Sequence, residues 1–126
     1  MFVPSNVKWF IAVQVEEFQV EGETENLVYL NNILVKADSR ETAYTRALDI
    51  CKQSNHEYKN SDDKTVVCKF RGLSDLFPIH DELEDGAELS FTSLGHLSEE
   101  EVMRIVRTKN QLELFHPDMP EVHNDK

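Results

Sequence analysis

KWFIAVQVEEFQV, Lys8 to Val20, is the stretch on which the fold of this chain turns. Trp9, Ile11, Val13 and Val15 recur at period two, the spacing that puts side chains on one face of a β-strand. Phe18 and Val20 have the other parity, so a bulge near Glu16–Glu17 is expected to restore the register. EGETEN, Glu21 to Asn26, comes next as a turn, with Gly22 supplying backbone freedom. LVYLNNILVKA, Leu27 to Ala37, reads as a second strand with Ile33, Val35 and Ala37 on one face. Strand, short turn and strand make an antiparallel pair.

The segments outside this hairpin supply what covers it. In ADSRETAYTRALDICKQSN, Ala37 to Asn55, Asp38 or Ser39 serves as N-cap and Glu41 stands where a capping box needs it. Ala43, Tyr44, Ala47, Leu48, Ile50 and Cys51 form a helical stripe, which predicts a helix across one face of the sheet. HEYKNSDDKT, His56 to Thr65, is a polar loop on this reading. VVCKFRGL, Val66 to Leu73, is a third strand, with Val66, Cys68 and Phe70 inward and Lys69 and Arg71 outward. LFPIHDELEDGAELSF, Leu76 to Phe91, predicts one or two short strands around a turn, with Pro78 at an edge or outside a ladder.

LSEEEVMRIVRTKNQLELF, Leu97 to Phe115, opens with a second capping box, Ser98 and Glu101. Its early acids and its later Arg104, Arg107 and Lys109 suit the helix dipole. Val102, Ile105 and Val106 form a stripe that lapses at Thr108 to Asn110. HPDMPEVHNDK, His116 to Lys126, holds two prolines and little apolar content, so a disordered tail is expected. The fold class is therefore α+β: a small antiparallel sheet in β-β-α-β-β-β-α order, one helix on one face, and a C-terminal helix. Residues 1–110 form the expected domain, and 111–126 a C-terminal peptide and flexible tail. The expected core is Trp9, Ile11, Val13, Val35, Ala47, Val66 and Phe70.

The 126 residues suit one core, and the formal net charge is -11. That charge argues against nucleic acid as a direct ligand, because phosphates need a basic footprint. It equally disfavours an anionic membrane surface, while a basic protein partner suits it. No apolar run approaches the roughly 18 residues of a membrane span. The N-terminal stretch has no basic leader and runs into Glu16 and Glu17, so a cytoplasmic protein is expected. Cys51 and Cys68 are isolated, without zinc spacing, and read as structural thiols.

No chemistry is spelled out in motifs. From Asp81, an EF-hand loop would fit Asp85 and Gly86, but Leu83 and Thr92 stand where ligands are needed. The Asp81–Glu88 segment reads as a solvated acidic turn. The histidines lack metal-binding spacing, and no phosphate loop, dinucleotide fingerprint or nucleophile elbow is present. Arg71, Asp75, Asp85 and Glu88 are the candidates for a polar site. No catalytic residue, metal ligand or cofactor is assigned.

Four segments together carry a family resemblance: KWFIAVQVEEFQVEGE, ILVKADSRETAYTRAL, HEYKNSDDKTVVCKFRGLSDLFPI and DELEDGAELSF. Over roughly Lys8 to Thr92 the chain resembles the bacterial domain-of-unknown-function family 4288. The resemblance implies one small intracellular domain and brings no activity, cofactor or catalytic residue with it. QLELF, Gln111 to Phe115, lies outside it and resembles the pentapeptide by which bacterial polymerase and repair proteins bind the sliding clamp. That peptide runs Gln, Leu, Ser or Asp, Leu, Phe; Gln111, Leu112, Leu114 and Phe115 match, and Glu113 replaces the short polar residue. Leu114 and Phe115 would be the buried anchors and Gln111 a hydrogen-bonding group at the rim. The competing reading lets Leu112 and Phe115, three residues apart, finish the last helix.

The expected function is a non-enzymatic protein-interaction module. Its two forms are immunity-like neutralisation of a basic protein and association with a DNA sliding clamp. The alternative is a metal-dependent enzyme or small-ligand domain using Asp81–Glu88.

Overall fold

The structure, a computed structural model, describes residues 6–115. The expected tail, with His116 and His123, lies outside the described residues. Two units divide the chain, Met1–Phe91 and Thr92–Lys126. The first carries strands β1 (Trp9–Val20) and β2 (Leu27–Lys36), helix α1 (Arg40–Lys52), and strands β3 (His56–Lys59) and β4 (Thr65–Pro78). The second carries helix α2 (Glu99–Ile105) and two 3-10 turns, Lys109–Gln111 and Glu113–Phe115. The strands form one antiparallel sheet in the order β2-β1-β4-β3, so the fold is α+β as the periodicities predict.

Local chemistry starts both helices. Ser39 caps α1, its hydroxyl accepting from the Thr42 N–H at 3.1 Å. Ser98 and Glu101 form the capping box of α2, the serine hydroxyl accepting from the Glu101 N–H and the glutamate from the Ser98 N–H. Among the described residues no helix is long and apolar enough to cross a membrane.

The helix lies on the opposite face of β1 from the expected one. Phe10 and Ala12, not Trp9 and Val13, join Val35, Ala37, Ala43 and Ala47 in the buried cluster. Of the expected core, Ile11, Val35, Ala47 and Val66 are buried, while Trp9, Val13 and Phe70 are only half-buried. The reason is size. Ala12, Ala43 and Ala47 have no exposed surface at all, and three small side chains let α1 approach the strand closely. The larger Trp9, Ile11, Val13 and Val15 give the other face a stronger hydrophobic signal but no helix.

On the helix-covered face β1 needs no bulge: Phe10, Ala12, Gln14, Glu16, Phe18 and Val20 share it, and pairing with β2 is unbroken. The irregularities sit in β4 instead. Val13 pairs with Asp75 and Gln14 with Leu73; Val15 pairs with Gly72 and Glu16 with Phe70. Ser74 and Arg71 are thus extra residues without a partner in β1, and Gly72 beside them takes a φ of 141°, open only to glycine.

Two further expectations are corrected. HEYKNSDDKT is not all loop: His56–Lys59 forms β3, paired with β4 through His56–Cys68 and Tyr58–Val66. Residues 79–91 hold no strand. β4 instead runs on to Pro78, the end of the ladder, where a missing N–H matters least.

Candidate functional site

In the second unit, α2 ends at Ile105 and the backbone turns extended at Val106, so Gln111–Phe115 does not finish a helix. Gln111 ends the first 3-10 turn, Leu112 is the extended residue after it, and Glu113–Phe115 is the second turn, with Leu112 N–H donating to Lys109 O at 3.2 Å and Phe115 N–H to Leu112 O at 2.9 Å. Gln111 turns its side-chain oxygen back to accept from the Thr108 N–H at 2.9 Å. That leaves its amide N–H groups to donate outward. The Lys109 ammonium lies 4.9 Å from the centre of the Phe115 ring, a cation–π contact that orients the ring. Leu112, Leu114 and Phe115 are 46 %, 64 % and 47 % exposed. Val102, Met103, Ile105 and Val106 are exposed too, and α2 has no buried residue.

The four candidates for a polar site share no hydrogen bond or ion pair with one another. Arg71 pairs with Glu17, Nη1 to Oε1 at 2.8 Å, and Asn26 donates to the other oxygen of the same carboxylate at 3.0 Å. Hydrogen bonding from Asn26, then from Arg71, holds the Glu17 carboxyl below its ordinary range. Asp75 accepts from the neighbouring Leu76 N–H at 2.8 Å. Asp85 lies within the acidic segment, and Glu88 closes that segment with its N–H donating to Asp81 Oδ2 at 3.0 Å. A shallow hollow of about 290 Å³ lies there, lined by Asp81, Glu82, Glu84, Asp85, Gly86 and Ala87. Among the described residues no three His, Cys, Asp or Glu side chains come together as a metal site.

A polar network beneath the end of α1 has no counterpart among the sequence expectations. Gln14, buried on the helix-covered face, donates to Ser54 Oγ at 3.0 Å and accepts from Asn31 Nδ2 at 3.1 Å. Asn31 also donates to Glu16 at 3.0 Å, and Ser54 donates to the Cys51 carbonyl at 2.8 Å. The signal was present in two places: a glutamine within the apolar run of β1, and the Asn31–Asn32 pair midway along β2. Both break the apolar pattern at positions opposite one another. Cys51 and Cys68 are buried and free, and burial, with Glu16 adding to it, pushes both thiols up. Such thiols stay protonated and unreactive, as structural cysteines do.

A second hollow, about 520 Å³, gathers Lys8, Lys36 and Arg46 with Ala37, Asp38 and Thr42. Lys36 holds its ammonium 5.6 Å from the Trp9 ring centre. The hollow is an open surface depression and not an enclosed cleft.

The family model of DUF4288, a domain of unknown function, matches residues 9–90. The match ends one residue short of Phe91, where the first unit closes. No curated protein matches the chain. No solved structure matches it either.

Proposed function

The chain belongs to the DUF4288 family, and we propose that it is a protein-interaction module rather than an enzyme. The docking element is the peptide Gln111–Phe115, outside the family-defining unit. One observation carries this reading: Leu112, between two short turns, and Leu114 and Phe115, in the second of them, hold much of their apolar surface in water. Large apolar side chains grouped on a surface mark a place where another protein removes them from solvent. Leu114 and Phe115 are the anchors and Gln111 is the donor at the rim. The partner with the matching pocket is a bacterial sliding clamp. The acidic balance of the chain suits, as an alternative partner, a basic protein of the kind an immunity protein neutralises. Two free, buried cysteines accord with work in a reducing bacterial cytoplasm.

Asp81–Glu88 supports a ligand site less well, because Asp81 already spends an oxygen on the Glu88 N–H.

Surface plasmon resonance of the full chain on immobilised sliding clamp tests the reading. A dissociation constant near the micromolar range, about -8 kcal/mol, is expected. Leu114→Ala with Phe115→Ala abolishes the signal while leaving the melting temperature within about 2 °C, since exposed apolar groups contribute little to stability. Absence of binding at about 100 µM clamp, well above a micromolar constant, refutes clamp docking.

A further inference from the structure

The sheet has two outer edges, and they differ in kind. β3 is four residues long, and its edge carries Glu57 and Lys59. β2 is ten residues long and carries a single charge, Lys36, at its last position. An edge strand presents unpaired N–H and C=O groups to any extended chain that approaches. Proteins guard such edges with proline, charge, bulges or shortness, and β2 has none of these along Leu27–Val35. Its apolar side chains are uncovered on both faces of the sheet: Leu27 and Tyr29 on the α1 face, and Val28, Leu30 and Leu34 on the other, between 48 % and 62 % exposed.

We propose that two copies of this chain pair antiparallel along β2, forming one sheet that runs through both. The strand is its own complement. A two-fold axis at Asn31 sets Leu27 across from Val35 of the other copy, Val28 across from Leu34, and Tyr29 across from Ile33. Each of these pairs meets on one face, because residues paired across a ladder share a face. These three pairs are apolar with apolar, with Val35 already buried beneath α1; Leu30 meets Asn32, and Asn31 meets its own copy on the axis. The same register sets Lys36 across from Asn26, whose amide is bonded to the Glu17 carboxylate, so a cation arrives beside an acid at each end of the seam.

Charge favours this occupant further. At -11, two copies repel one another over most of their surface. Leu27–Lys36 contains no acid, so β2 is a stretch along which a second copy can approach without that penalty. A closed two-fold pairing also consumes the β2 edge of each copy and leaves outermost only the short, charged β3 strands, where an unguarded edge otherwise grows into aggregates. The seam lies in the DUF4288-matched unit and does not rest on the docking role of residues 111–115.

Sedimentation equilibrium of the full chain at about 100 µM, a concentration that populates a micromolar dimer, should give twice the 14.6 kDa chain mass. Raising salt should tighten the dimer, because screening weakens the repulsion between two acidic copies. Leu30→Lys should return the chain to monomer with an unchanged circular dichroism spectrum, since Leu30 is exposed. Val28→Cys combined with Leu34→Cys should form a covalent dimer under mild oxidation, and Val28→Cys alone should not, which tests the Asn31 register. A wild-type chain that stays monomeric at every salt concentration overturns the proposal. So does a dimer that survives Leu30→Lys, which would place the seam elsewhere. A dimer that loosens as salt rises overturns the acid-free seam. Loss of the dimer leaves clamp binding by Gln111–Phe115 unaffected, so the two readings fail separately.

Discussion

Replacing Phe10 by alanine tests which face of β1 is the core. Phe10 is 2 % exposed and packs with Ala12, Val35, Ala43 and Ala47 beneath α1. A buried aromatic side chain covers about 150–250 Å², worth about 4–6 kcal/mol at about 25 cal/mol per Å². Measured Phe→Ala changes in cores cost about 3–5 kcal/mol, so about 4 kcal/mol is expected. Phe70 provides the comparison, being half-buried and outside the cluster under α1. Its alanine variant should cost about half as much, because about half of the transfer term is already forfeited to water. Urea unfolding reports the difference through Trp9, the single tryptophan of the chain and the immediate neighbour of Phe10. With a slope of about 2 kcal/mol per molar urea, the Phe10 variant should unfold about 2 M earlier than wild type. A cost for Phe10→Ala below about 1 kcal/mol, or one smaller than that of Phe70→Ala, would refute the assignment of the helix-covered face.

Two other expectations come from hydrogen bonds. Gln14→Leu keeps the bulk of the side chain but removes the bridge between Asn31 and Ser54; leaving those groups short of a partner should cost about 1–3 kcal/mol, measured as the shift in urea midpoint. An unchanged midpoint would mean that water replaces the glutamine. The second is acid sensitivity. Glu17 has a folded pKa below its ordinary 4.5, so its stabilising share is complete above 4.5 and fades as pH falls through the lowered folded value. Melting temperature should therefore drop on acidification below about pH 4.5, and less steeply in Glu17→Gln. Parallel curves for the two proteins would show that the Asn26–Glu17–Arg71 chain contributes nothing to that drop.

What was legible in the residues was local. Capping chemistry at Ser39 and Ser98 announced both helix starts, and the period-two runs on either side of Gly22 announced the hairpin. What failed depended on partners remote in the chain. Both faces of β1 are apolar, and only the alanines of α1 decide which one the helix can approach. β3 is an edge strand with all four residues exposed, so His56–Lys59 has no apolar alternation to betray it. The expected strands of residues 79–91 went to an extension of β4, past a bulge that periodicity cannot register. Of the candidate site, Gln111–Phe115 was readable as a motif, but its two 3-10 turns were not, because an i, i+3 pair of apolar residues suits a helix equally well. Arg71 was expected to face outward, and the acid that holds it, Glu17, lies on another strand.

The two unpartnered residues of β4 decide where this strand can change length. Removing Ser74 or Arg71 takes out a residue that faces no partner, so every other pair across β1 and β4 stays aligned. Removing any paired residue between Thr65 and Phe70 shifts its neighbours along the strand by one position and turns them inside out, sending Cys68 toward water and Lys69 toward the core. Tolerance to shortening is therefore punctuated: two permitted positions, three residues apart, within a strand that otherwise cannot lose a single residue. A scan of single deletions along β4, scored by soluble yield, should trace that pattern as two isolated survivors.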